Sequence, residues 1–86
     1  MWKIFFTKNA LKDRQRIKEV GLEKKVKNII DVMMDNPFSR IPPYEKLVGK
    51  LVGYYSRRIN VQHRLVYRVD EENKIVIISS MWSHYE

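Results

Sequence analysis

The sequence predicts an α+β fold: two N-terminal helices packed on one face of an antiparallel-rich sheet, in the order β-α-α-β-β-β. Three observations lead there. An aromatic and β-branched run opens the chain, two segments with apolar residues at helical spacing follow, and three strand-like segments occupy the C-terminal part. A chain of 86 residues can close one hydrophobic core but not two, so residues 1–86 are read as a single domain, with any functional site in a surface cleft.

Trp2 to Thr7 carries residues that suit a pleated strand, and Thr7 or Asn9 can cap the helix that follows. From Asn9 to Val20 the apolar Leu11, Ile17 and Val20 are sparse among Lys12, Arg14, Arg16 and Lys18, so this helix should bury a narrow stripe and present a basic face. Gly21 permits a break. Leu22, Val26, Ile29, Ile30 and Met33 then mark a second, amphipathic helix, which should end near Asn36-Pro37 because proline disfavours helical geometry in the residue before it. Phe38 to Lys50 holds Pro42-Pro43 and no sustained period, and reads as a connecting loop with some short local structure. Leu51 to Ile59, Gln62 to Val69 and Lys74 to Trp82 read as strands, the last two joined by the polar turn Asp70-Glu71-Glu72-Asn73. Ile75-Val76-Ile77-Ile78 is continuously apolar, which predicts a central strand covered on both faces. Trp2 and Tyr67 are the preferred aromatic core residues.

Composition narrows the function classes. Lys plus Arg number 17 against 10 for Asp plus Glu, a net charge of +7 that attracts polyanions and makes nucleic acid the leading partner class. The chain has no cysteine and only two histidines, which removes disulfides and thiolate metal sites and makes a zinc centre a poor expectation. The apolar start, Met1 to Phe6, is too short for a signal peptide or a membrane span, so a cytoplasmic protein with no membrane partner is expected.

The chemistry-bearing residues gather late in the chain. Arg57, Arg58, Arg64 and Arg68 fall in a hairpin without an acidic residue between Arg57 and Arg68. A turn centred on Val61 would set Arg58 directly across from Arg64, a destabilising pair unless an anion binds between them. Arginine also suits phosphate better than lysine does, because its donors form a planar fork. Tyr54, Tyr55, Tyr67, Trp82 and Tyr85 interleave with these cations, as rings do where unstacked RNA bases are bound. Glu45 stands among Lys46, Lys50 and the arginines, where a carboxylate can serve as a base. His84 directly follows the last strand and has an imidazole suited to proton donation; His63 falls in the turn. A carboxylate, cations and an imidazole are what metal-free RNA cleavage requires. The residue types alone leave plainer readings open: a solvated basic edge, an inert loop glutamate and a terminal histidine without a role.

The string Gly53-Tyr54-Tyr55-Ser56-Arg57-Arg58-Ile59, then His63-Arg64-Leu65-Val66-Tyr67 and the closing His84-Tyr85, resembles the YoeB/Txe family of bacterial toxins in the RelE superfamily. The resemblance covers nearly the whole chain. It implies a RelE-like fold and the toxin of a type II toxin-antitoxin system, a ribosome-dependent mRNA endoribonuclease that blocks translation. Its implied partners are a YefM-like antitoxin, the 70S ribosome with its mRNA, and a second copy in a homodimer; no cofactor or metal is implied. Carried onto this sequence, the family's catalytic glutamate falls on Glu45, its two functional arginines on Arg58 and Arg64, and its terminal histidine and tyrosine on His84 and Tyr85. Together with the residues read above, the expected catalytic group is Glu45, Arg64 and His84, and Arg57, Arg58, Tyr55, Tyr85 and Lys50 are the expected phosphate- and RNA-binding residues. Met81-Trp82-Ser83 is less polar than the family's usual approach to the histidine, and Glu86 extends past the terminal tyrosine. A gyrase-directed, ParE-like toxin and a noncatalytic RNA-binding module are the alternatives.

Overall fold

A computed structural model describes residues 1–82. The chain runs β1 (Lys3–Phe6), α1 (Lys8–Glu19), α2 (Glu23–Asp35), β2 (Tyr44–Lys46), a 3-10 turn (Gly49–Leu51), β3 (Tyr55–Arg58), β4 (Arg64–Asp70) and β5 (Ile75–Ser80). The strands form a five-stranded sheet in the order β1-β5-β4-β3-β2. β1 pairs with β5 in parallel and every other neighbouring pair is antiparallel. The mixed sheet under two helices is the expected α+β architecture, with β2 as an added edge strand inside the segment read as a loop.

α1 begins where its cap requires. Thr7 Oγ1 accepts from the Ala10 N–H at 3.1 Å and donates to the Ser79 carbonyl at 3.0 Å, so one hydroxyl both caps the helix and ties it to the end of β5. The helix buries Ala10, Asp13 and Ile17. This corrects the expected stripe: Leu11 is 51% exposed and Val20 52%. The reason lies in Asp13, whose carboxylate turns inward to accept the buried Met81 N–H at 2.9 Å and thereby sets the rotation of the helix. Gly21, at φ 75°, takes the left-handed conformation that separates the helices. Val26, Ile29 and Met33 of α2 are buried, and the helix stops at Asn36 before Pro37 as expected.

These helices cover the sheet face that carries Leu65 and Tyr67 of β4 and Val76 and Ile78 of β5, and all four side chains are fully enclosed. Trp2 packs at the edge of this core, only half-buried. β5 is interior to the sheet but is not covered on both faces. Ile75 and Ile77 point the other way, in register with Lys3 and Phe5 of β1, and Phe5 is 51% exposed. The continuous apolar run reflects one face buried by helices and one left half-covered, a distinction that hydropathy alone does not carry.

The β3–β4 hairpin turns at Val61, which is 94% exposed. Asn60 Oδ1 accepts from the Gln62 and His63 N–H groups at 2.9 and 2.7 Å, closing the turn. The register that results places Arg58 directly across from Arg64, as the turn position predicted. At the other hairpin, Asn73 donates to the Asp70 carboxylate from its backbone and its side chain, which holds Asp70 below the usual carboxylate range.

Asp13→Ala would strand the Met81 N–H in the core. Urea denaturation is expected to show a loss of about 1–3 kcal/mol, the cost of an unsatisfied buried donor; an unchanged midpoint would mean that this contact does not fix the rotation of α1.

Candidate active site

Residues directly opposite in an antiparallel pair share a face, and neighbours along a strand do not. Glu45 is paired with Ser56, Ser56 with Val66, and Arg58 with Arg64, so these residues lie on the face away from the helices. Tyr44, Arg57 and Leu65 form the alternate set on the helix-covered face, with Tyr55 and Tyr67. The three-residue strand β2 is therefore what brings Glu45 to the arginines.

A cleft of about 600 Å³ opens there, lined by Glu45, Ser56, Arg58 and Arg64 and bordered by Pro42-Pro43, the turn residues Ile59 to Val61 and Lys25 of α2. Glu45 Oε1 lies 3.4 Å from an Arg64 guanidinium nitrogen. The distance is long for a charged hydrogen bond and the carboxylate is exposed, so the pair contributes little to stability and opens easily. Among the described residues Arg58 forms no ion pair. Two guanidiniums facing one another across the hairpin, with one loosely held carboxylate beside them, make an anion site whose mutual repulsion a phosphate would relieve.

The expected site residues divide. Glu45, Arg58 and Arg64 come together. Lys50 sits exposed on the 3-10 turn and does not line the cleft. Tyr55, half-buried, packs on the opposite face against Phe38, Tyr44 and Tyr67, at ring separations of 5.5, 5.7 and 5.6 Å, and does not line the cleft. His84 and Tyr85 lie outside the described residues. The strand that leads toward them is well anchored: Met81 is tied to Asp13, the Trp82 ring stacks on buried His63 at 4.2 Å, and the Arg16 guanidinium lies 5.6 Å from the Trp82 ring centre. Ser56 and Lys25 also line the cleft and went unread. The period-two relation of Ser56 to Arg58 was a usable signal for the first; nothing in the helical pattern marked the second.

Arg57 is the main correction. Its guanidinium is fully enclosed, on the face opposite the cleft, and cannot contact RNA there. Its donors go instead to the carbonyls of Pro37, Ser39 and Pro42 and to the Tyr67 hydroxyl, and its plane lies over the Tyr44 and Tyr67 rings. Burial pushes the Tyr67 phenol from 10.0 up to about 12, so it stays protonated and donates to the Pro37 carbonyl at 3.0 Å. Carbonyl dipoles and ring faces here do the work of a counter-ion. Arg57→Ala would orphan several carbonyls at once and is expected to cost about 3–5 kcal/mol in urea denaturation, comparable to breaking a buried charge network. Arg57→Lys should not restore it, since an ammonium lacks the planar fork; a lysine variant as stable as the parent would refute this role.

With this geometry in view, comparison with known proteins is direct. A family model described as YoeB-like toxin of bacterial type II toxin-antitoxin system matches residues 6–85. Toxin YoeB of Synechocystis sp. is 38% identical over 65 residues, spanning 76% of this chain and 73% of that protein. Toxin YoeB of Escherichia coli K12 is 36% identical over 62 residues, spanning 72% and 71%. Among solved structures, the YoeB/ParE toxin from Agrobacterium tumefaciens superposes with a TM-score of 0.87 at 28% identity, covering 96% of this chain and 99% of that one. YoeB from Staphylococcus aureus, solved as a dimer, superposes at 0.82 with 36% identity over 98% of both chains. The heterotetrameric YoeB-YefM complex from the same organism gives 0.82 at 35% identity over 99% of both. Sequence, fold and the residues gathered around Glu45 and Arg64 converge, and the chain belongs to the YoeB-like toxins of bacterial type II toxin-antitoxin systems.

Proposed function

We propose that this toxin is a ribosome-dependent endoribonuclease that cleaves mRNA in the A site and so blocks translation. The observation that carries the reading is the Glu45–Arg64 approach at 3.4 Å, with Arg58 directly across from Arg64 on the same face. A scissile phosphate entering the cleft takes Arg64 from Glu45 and relieves the repulsion between the two arginines. Glu45, released beside the phosphate, removes the proton of the RNA 2′-hydroxyl, whose oxygen attacks the adjacent phosphorus. Arg58 and Arg64 stabilise the charge that builds on the non-bridging oxygens. His84 protonates the departing 5′-oxygen and Tyr85 orients the phosphate or a base, in the roles that the family resemblance gives them. The products are a 2′,3′-cyclic phosphate and a 5′-hydroxyl. Because the nucleophile belongs to the substrate, the mechanism calls for neither metal nor cofactor.

The partners follow from the same reading: the ribosome and its mRNA, a YefM-like antitoxin and a second copy of the toxin. The Staphylococcus aureus structures, a YoeB-YefM complex and a YoeB dimer, support the last two by likeness. No helix among the described residues is long and apolar enough to cross a membrane. Action on ribosomes sets the toxin in the cytoplasm.

The test is a programmed ribosome whose A-site codon carries a single 2′-deoxy nucleotide at the scissile position. No product is expected from it, while the all-ribose message yields a cyclic-phosphate end. Glu45→Ala should lower the single-turnover rate by about 10²–10⁴, and Arg64→Ala by about 10²–10³. Undiminished cutting of the deoxy-substituted message would rule out attack by the 2′-hydroxyl.

A further inference from the structure

We propose that Ser56 is a positioning residue for Glu45: its hydroxyl takes over the carboxylate when Arg64 leaves for the substrate phosphate. The proposal rests on the reading of Glu45 as the base. Ser56 is 1% exposed, and its Oγ has no hydrogen-bond partner among the described residues. It nonetheless lines the cleft and stands directly across β2–β3 from Glu45, on the same face. A buried hydroxyl without a partner lowers stability, and such a group in a folded protein calls for an explanation. In a strand position flanked by Val66, an alanine or valine would fill the space without that penalty.

The charges around the carboxylate explain why a neutral donor is useful. Arg58, Arg64 and Lys25 line the same cleft. A cation held against Glu45 during the reaction occupies the carboxylate oxygens that must reach the 2′-hydroxyl. Phosphate binding draws Arg64 away, and a carboxylate released from it would swing freely on a flexible side chain. Glu45 and Ser56 are register partners on one face, so a rotation of the Glu45 side chain toward β3 brings one carboxylate oxygen to the Ser56 hydroxyl and leaves the other for the 2′-hydroxyl. It fixes orientation without adding a full charge. The open hydrogen-bond capacity of Ser56 in the resting protein is then the counterpart of the Glu45–Arg64 pair: each is satisfied in only one of the two states.

Ser56→Ala, Ser56→Val and Ser56→Thr separate the hydroxyl from the packing, since valine and threonine have nearly the same shape. Ala and Val variants are expected to fold and melt at or above the parent temperature. In ribosome-programmed cleavage their kcat should fall about tenfold with KM unchanged, as for a misoriented catalytic group. Threonine should restore kcat to within about threefold of the parent, and in a Glu45→Gln background none of the Ser56 changes should matter further. Equal kcat for Val and Thr, or penalties at Ser56 and Glu45 that multiply, would overturn the proposal. A parent protein that cuts no translated message would instead refute the nuclease reading. The contact is then judged alone, by the Glu45 carboxyl ¹³C resonance in an Arg64→Ala background. A resonance that differs between Thr and Val variants supports the contact, and one that does not removes it.

Discussion

A buried guanidinium held by carbonyls and ring faces, with no carboxylate partner among the described residues, is the interaction on which this molecule depends. Arg57 gathers the carbonyls of Pro37, Ser39 and Pro42 around one planar group, and those carbonyls belong to the segment that joins α2 to β2. Segments of this kind, with two consecutive prolines and few apolar anchors, have little reason to adopt one path unaided. Arg57 gives it one. The chain leaves the loop directly into Tyr44–Lys46, so the clamp behind the sheet determines where Glu45 emerges in front of it. A charge that cannot be removed by deprotonation, held by dipoles and ring faces, is suited to this because its geometry tolerates no substitute.

The arginines of the hairpin thus divide by the pleat. Arg57 turns inward and makes four hydrogen bonds; Arg58 and Arg64 turn outward, and among the described residues Arg58 forms no ion pair and Arg64 meets Glu45 only at 3.4 Å. The inward residue stabilises the scaffold, and the outward pair stores repulsion that an anion can relieve. Ser56 shows the same incompleteness as a hydroxyl with no partner among the described residues, and the Glu45–Arg64 pair as a contact stretched to 3.4 Å. A cleft built of half-made interactions on a tightly satisfied framework is how a small domain can bind phosphate without a deep pocket. The stability it gives up locally is available to the substrate.

Much of this was legible in the sequence, and the failures have physical causes. The two helices were visible in their spacing and in Thr7, Gly21 and Pro37, because caps and breakers act locally. The opposition of Arg58 and Arg64 followed from turn length alone. Arg57 was misplaced because the hairpin's charge was counted along the chain. Adjacent strand residues face opposite sides, and that rule alone forbids Arg57 and Arg58 from gripping one phosphate. The same rule would have exposed Ser56 and sent Tyr55 to the core side. Leu11 and Val20 misled because Asp13, a polar residue, decides the rotation of α1 through a contact with Met81, far away in sequence. β2 is too short to leave a periodic signal, although it carries the carboxylate. The roles of His84 and Tyr85 rest on the family pattern.

The central claim is that the face bearing Glu45, Arg58 and Arg64 cuts mRNA on the ribosome. Mapping 5′ ends in a purified bacterial translation system, for the parent protein beside Glu45→Ala and His84→Ala, tests it most directly. New ends are expected only within translated codons, lost in both variants and absent when initiation is blocked. Translation arrested without any new ends would contradict it, and so would ends that persist in the Glu45→Ala protein.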